Sequence, residues 1–83
     1  MPRYFFHTAD GRTHRDTDGL ELRDRNEAKR VALKMLGDLI KDHTDEILRD
    51  GHFDLCLTDE KGLGLLEVIL VATAAPAGRD KAN

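Results

Sequence analysis

Eighty-three residues, 40% hydrophobic and 35% charged with a net charge of −3, describe one small folded domain and not a disordered segment. The negative balance disfavours a general nucleic-acid binder, because neutralising phosphates takes a basic surface. A chain this short buries only about 60–65% of its unfolded surface, so its core is marginal alone and oligomerisation is expected from the outset.

In chain order, Arg3 to Thr8 is an aromatic-rich run ending at Ala9-Asp10-Gly11, which predicts a strand followed by a turn. Alternation sets Tyr4 and Phe6 on one face and Arg3, Phe5 and His7 on the other. Residues 12–16 are polar throughout and predict at most a short edge strand, guarded by Arg12, His14 and Arg15. Asp18-Gly19 is a second turn, after which Leu20 and Leu22 lead into a helix.

That helix is predicted over residues 24–50. Ala28, Val31, Ala32, Met35, Leu36, Leu39, Ile40, Ile47 and Leu48 recur at the spacing of one apolar stripe. Asp24 with Glu27 three residues on reads as an acidic capping box, and Gly51 as the left-handed stop. At 1.5 Å per residue the helix would run about 39 Å, longer than strands of about 20–27 Å. It must therefore overhang the sheet or bend near Gly37 or His43. Residues 24–37 hold four basic residues (Arg25, Lys29, Arg30, Lys34) against Asp24 and Glu27, and residues 38–50 five acidic ones (Asp38, Asp42, Asp45, Glu46, Asp50) against Lys41 and Arg49, a bias against the helix dipole. Two such helices packed antiparallel would pair favourably.

After Gly51 the period changes to two. Phe53, Leu55 and Leu57 predict a half-buried strand, Asp59-Glu60-Lys61-Gly62 a turn, and residues 63–73 a last, long strand. Its inward set is Leu66, Val68, Leu70 and Ala72. The other face, with Leu65, Glu67, Ile69 and Val71, is too apolar for open water and predicts cover or an interface. The expected fold is α+β in two layers. One long amphipathic helix lies on a three- to four-stranded, mainly antiparallel sheet in the order β-β-α-β-β. Residues 1–74 form the single domain and 75–83 a disordered tail.

The chemistry-bearing residues are sparse. His7, His14, His43 and His52 fall one to an element without metal-ligand spacing, and Cys56 has no second cysteine. Asp16-Thr17-Asp18-Gly19 is only a fragment of a calcium loop, so turn formation is its better account. No phosphate loop or nucleophile elbow is present, and no catalytic residue, metal or cofactor is assigned. The longest apolar run is far short of a bilayer span and no signal-peptide pattern opens the chain. The expected setting is a reduced cytoplasm, away from the membrane.

Met1-Pro2-Arg3-Tyr4-Phe5-Phe6-His7, Asp10-Gly11, Asp16, Gly19, Leu22, Asp24, the Ala-containing helix, Thr58-Asp59-Glu60, Gly62 and the final Ala-Pro together resemble a known family. It comprises short proteins of rhizobia and related alphaproteobacteria that carry only a domain-of-unknown-function label. The resemblance spans residues 2–76, and Arg23 departs from it where the family often has Pro. It implies the fold order and a bacterial, cytoplasmic setting, and brings no activity or ligand.

Two functions follow. The first is a non-catalytic interaction or structural module, acting as a homodimer or docking on another protein, with Leu65, Ile69, Val71, Ile47 and Leu48 as the interface. The alternative is a nucleic-acid-binding or antitoxin-like regulator using Arg3, Arg12, Arg15, Arg23, Arg25, Lys29 and Arg30 as a local basic patch. Overall acidity favours the first.

Overall fold

The aromatic alternation becomes strand β1 (Arg3–Ala9) in a computed structural model that describes residues 1–10 and 12–76. Tyr4 and Phe6 enter the core, while Phe5 and His7 lie half-buried on the opposite face of the sheet. Two short strands pair antiparallel with β1 at opposite ends of one edge. β2 (Thr13–His14) sets Thr8 opposite His14, and β3 (Leu20–Glu21) sets Tyr4 opposite Leu20. On its other side β1 pairs with β4 (His52–Thr58), which pairs in turn with β5 (Gly64–Val71). The order is β2-β1-β4-β5, with β3 beside β2 on β1 and every pairing antiparallel.

Helix α1 (Arg25–Asp42) starts as its sequence dictates, with the Asp24 carboxylate accepting the Glu27 N–H at 2.8 Å. The return bond of a capping box is displaced by one residue, since Glu27 accepts from the Arg23 N–H and not from Asp24. Ala28, Ala32 and Leu36 form the buried stripe, and α1 lies mainly over β4, whose Phe53, Leu55 and Leu57 complete the core. Leu66, Val68, Leu70 and Ala72 of the last strand and its exit pack partly buried against that core, the inward set that alternation predicts.

The layers differ from expectation in two respects: the sheet has five strands and the helical layer two segments. β3 is a two-residue bridge, too short to leave an alternating pattern. Its pairing is extended by the Leu22 N–H, which donates to the Pro2 C=O at 3.0 Å. The helix breaks at His43, one of the two expected bend points, and resumes as α2 (Thr44–Asp50). There the His43 N–H reverts to the Ile40 C=O, while ring Nδ1 donates to the freed Leu39 C=O at 2.9 Å. The bend corrects the expected overhang. α2 packs on β4, and Ile47 is buried in the core instead of projecting to a partner. Gly51 closes α2 at φ 84°, as a left-handed cap requires. Of the tail expected at 75–83, residues 77–83 lie outside the described residues, as does Gly11 of the first turn.

Candidate functional site

The two edges of the sheet are built differently. On the β1 side the rim is broken into two-residue strands bearing His14 and Glu21, with Arg12 just before the first. Short, charged strands of this kind discourage edge pairing. On the other side β5 runs eight residues and pairs only with β4 among the described residues. Just beyond its end the Ala72 N–H donates to the Gly51 C=O at 2.9 Å, which fixes the phase of the strand. Backbone groups alternate in direction along an antiparallel strand. Leu66, Val68 and Leu70 therefore turn theirs toward β4, and Glu67, Ile69 and Val71 turn theirs outward. Leu65 is the extra residue at the irregularity where Leu57 faces Leu66 but Thr58 faces Gly64.

Side chains reinforce this. Ile69 and Val71 are 60% and 64% exposed on the sheet face away from the helices. No Pro or Lys interrupts the strand. A long, mainly apolar edge, whose guards are one charge at Glu67 and the bulge at Leu65, still invites strand addition.

The same open face carries a cleft of about 550 Å3, floored by Phe5, His7 and Thr58 and flanked by Arg15, Asp16 and Lys61. The Phe5 and His7 rings lie nearly parallel at 6.4 Å. His7 Nδ1 accepts the Asp16 N–H at 3.0 Å, so the neutral ring carries its proton on Nε2, 3.3 Å from Thr58 Oγ1. Two of the three cleft carboxylates, Asp16 and Asp59, are held by backbone, and Glu60 is the third. Burial pushes Asp16 upward, but N–H donors from Phe6, Gly19 and Asp18 outweigh it and hold the acid below its ordinary value. The Leu63 N–H, helped by that of Lys61, lowers Asp59 likewise. A general acid working near neutrality needs the opposite shift.

The other residues marked in the sequence disperse. His14 lies 3.3 Å from Asp10, His43 caps a carbonyl, and His52 Nδ1 stands 3.6 Å from Asp54 Oδ1, a buried oxygen without a hydrogen bond. Among the described residues no three His, Cys, Asp or Glu side chains are grouped to hold a metal ion. Cys56 is half-buried on β4, in register with His7 on one side and Glu67 on the other.

Of the expected interface, Ile69 and Val71 line the free edge, but Leu65, shifted out of alternation by the bulge, packs partly buried against the core and not on the outer face. Leu48 is 75% exposed on α2, away from that strand, and Ile47 is out of reach in the core. Of the basic residues, Arg3 and Arg25 line one cleft with Lys61, Asp59 and Glu60. Arg3 binds the Glu21 carboxylate and the Asp18 C=O at 3.0 and 2.7 Å, and Arg23 lies 3.5 Å from Glu27. Arg12 shares another cleft with Asp10 and Asp50, and Arg15 lines the cleft beside Phe5 and His7. Arg25, Lys29 and Arg30 stand exposed on α1.

Sequence reasoning missed the role of Asp16, which ties the β2–β3 excursion to β1. The available signal was Asp16-Thr17-Asp18-Gly19, where an Asp oxygen reaching N–H groups two and three residues on is the chemistry of an Asx turn.

No curated protein and no solved structure matches the chain. In the scan against protein families, residues 3–72, from the first residue of β1 to just past the end of β5, match DUF6894, described as a domain of unknown function. With nearly all of its folded span matched, the chain belongs to the DUF6894 family.

Proposed function

We propose that this protein is a small, non-catalytic interaction module that works as a homodimer in a reduced cytoplasm. The observation that carries the reading is the free edge of β5, eight residues long, unguarded by Lys or Pro and bearing exposed Ile69 and Val71. A core of nine buried apolar side chains among the described residues is small, which gives a second copy something to add. Two of the cleft's carboxylates, Asp16 and Asp59, already accept backbone donors, which favours the non-catalytic part. Regulation through nucleic acid is the less favoured reading: Arg3, Arg25 and Lys61 share a cleft, but Asp59 and Glu60 line it too. Its basic residues are interleaved with Glu21, Glu27, Asp10 and Asp50.

Size-exclusion chromatography with light scattering tests this, read by refractive index beside ultraviolet absorbance. With one Tyr and no Trp the protein absorbs weakly, so retained nucleic acid would stand out. A particle of twice the 9.3 kDa chain mass with no excess absorbance is expected. A monomer, or bound nucleic acid, would refute the reading.

A further inference from the structure

We infer that the cleft on the open face of the sheet binds a mononucleotide, its base against the Phe5 and His7 rings and its phosphate on Arg15 and Lys61. The inference goes beyond the interaction reading and does not depend on it, since a monomer would carry the same cleft.

Shape selects a flat ligand. Phe5 and His7 stand two residues apart on β1, half-buried on the sheet face away from the helices. Their rings are parallel to within 4°, with centroids 6.4 Å apart, so one planar group can lie against both. Every nucleobase has a face for such stacking. A volume of about 550 Å3 suits a ligand of nucleotide size, more than a lone ring acid needs.

The unfilled hydrogen-bonding capacity sets the charge. Asp16 commits both oxygens to the N–H groups of Phe6, Asp18 and Gly19, and one oxygen of Asp59 accepts from Lys61 and Leu63. What is left over is mostly donors. Among the described residues neither the Arg15 guanidinium nor the Lys61 ammonium forms a salt bridge. Thr58 is only 9% exposed, and its Oγ1 meets His7 Nε2 at 3.3 Å, which leaves the hydroxyl proton without an acceptor. A ligand completing this site must bring acceptors and negative charge. Arg15 lies between β2 and β3 and Lys61 between β4 and β5, so one anionic group has to serve cations from two loops. A phosphate monoester, with three oxygens and more than one charge, does so better than a carboxylate. Glu60, the remaining carboxylate, opposes it and limits affinity. A net charge of −3 tells against a long strand, whose further phosphates would find no such partners.

Amide NMR of the full chain titrated with adenosine monophosphate tests this. Saturable shifts are expected at Phe5, His7 and Thr58, with α1 unmoved. Adenosine alone and inorganic phosphate alone should each bind at least about tenfold more weakly. Arg15→Gln and Lys61→Gln, both at exposed positions, should each weaken the nucleotide by about tenfold and leave adenosine unchanged. Glu60→Gln should tighten it. No saturable shift at millimolar nucleotide would overturn the inference. So would phosphate or adenosine binding as well as the nucleotide, or affinity indifferent to both Gln variants. A deoxyadenosine oligonucleotide without a terminal phosphate offers the same chemistry from a second source and should bind more weakly; tighter binding would overturn the mononucleotide in favour of a strand. A monomer that binds the nucleotide would sink the dimer reading and leave this one standing.

Discussion

One carboxylate oxygen of Asp16 accepts the backbone N–H of Phe6 at 3.1 Å while the other takes the N–H groups of Asp18 and Gly19. The contact fills a gap in the rim of β1, between the stretches paired by β2 and β3. Asp16→Ala strips the partner from a half-buried donor and releases the excursion, a loss of about 2 kcal/mol. Asp16→Asn keeps one acceptor oxygen and should lose about half as much. Urea denaturation of the three proteins checks the ordering.

The same group sets an acid limit. Asp16, Asp10 and Asp59 all titrate below the ordinary 3.8 in the folded chain. For Asp10, burial pulls upward but the Arg12 N–H and His14 outweigh it. Depressed folded values mean that the unfolded chain takes up protons first. Their stabilisation is full above pH 3.8 and declines as pH falls through the lower folded values. The urea midpoint should therefore drop on acidification below about pH 4, and Asp16→Asn should flatten that drop. A drop as steep in the variant would refute the assignment.

Two glycines should respond with opposite sign. Gly19 has φ +69°, and a Cβ there would stand 2.7 Å from the Tyr4 carbonyl oxygen. Gly19→Ala meets both a disfavoured conformation and rigid backbone, and should destabilise by more than about 2 kcal/mol. Gly37 lies inside α1 with nothing within 4 Å of an added Cβ. Gly37→Ala should stabilise by about 0.5–1 kcal/mol, a rise of several degrees in thermal midpoint. Thermal melts of the pair decide the matter in one experiment.

Leu55 has no exposed surface and sits in the middle of the core. Leu55→Ala should cost about 2–5 kcal/mol, which for a chain of this length could remove most of the folded population. Ile69→Ser, on the open face, should change monomer stability by less than about 0.5 kcal/mol. Measured at dilutions that dissociate a dimer, the two variants separate core from surface.

Much of this architecture was legible in the chain. Tyr4 and Phe6 inward, the Ala28–Ala32–Leu36 stripe, the Gly51 stop and the Leu66–Val68–Leu70 set each follow from a single periodicity read over enough residues to be unambiguous. The misses share a cause. β3 spans two residues and Asp16 acts across ten, so neither leaves a repeating signature. Ile47 kept its helical spacing through the His43 break and read as overhang, although the bend returns it to the core beside Phe53. Within the interface expected from sequence, alternation located Ile69 and Val71 on the exposed face of the last strand. Which strand stood at the rim depended on long-range pairing.

The contrast between the two rims has a consequence for stoichiometry. A sheet with two adhesive edges can add subunits without end, as filaments do, whereas a sheet with one is monovalent. The broken, charged strands at Thr13–His14 and Leu20–Glu21 terminate growth on their side. A second copy paired at β5 would present only its own broken rim, so assembly would stop at two, and Asp16, by holding that rim in pieces, would limit growth as well as anchor a loop.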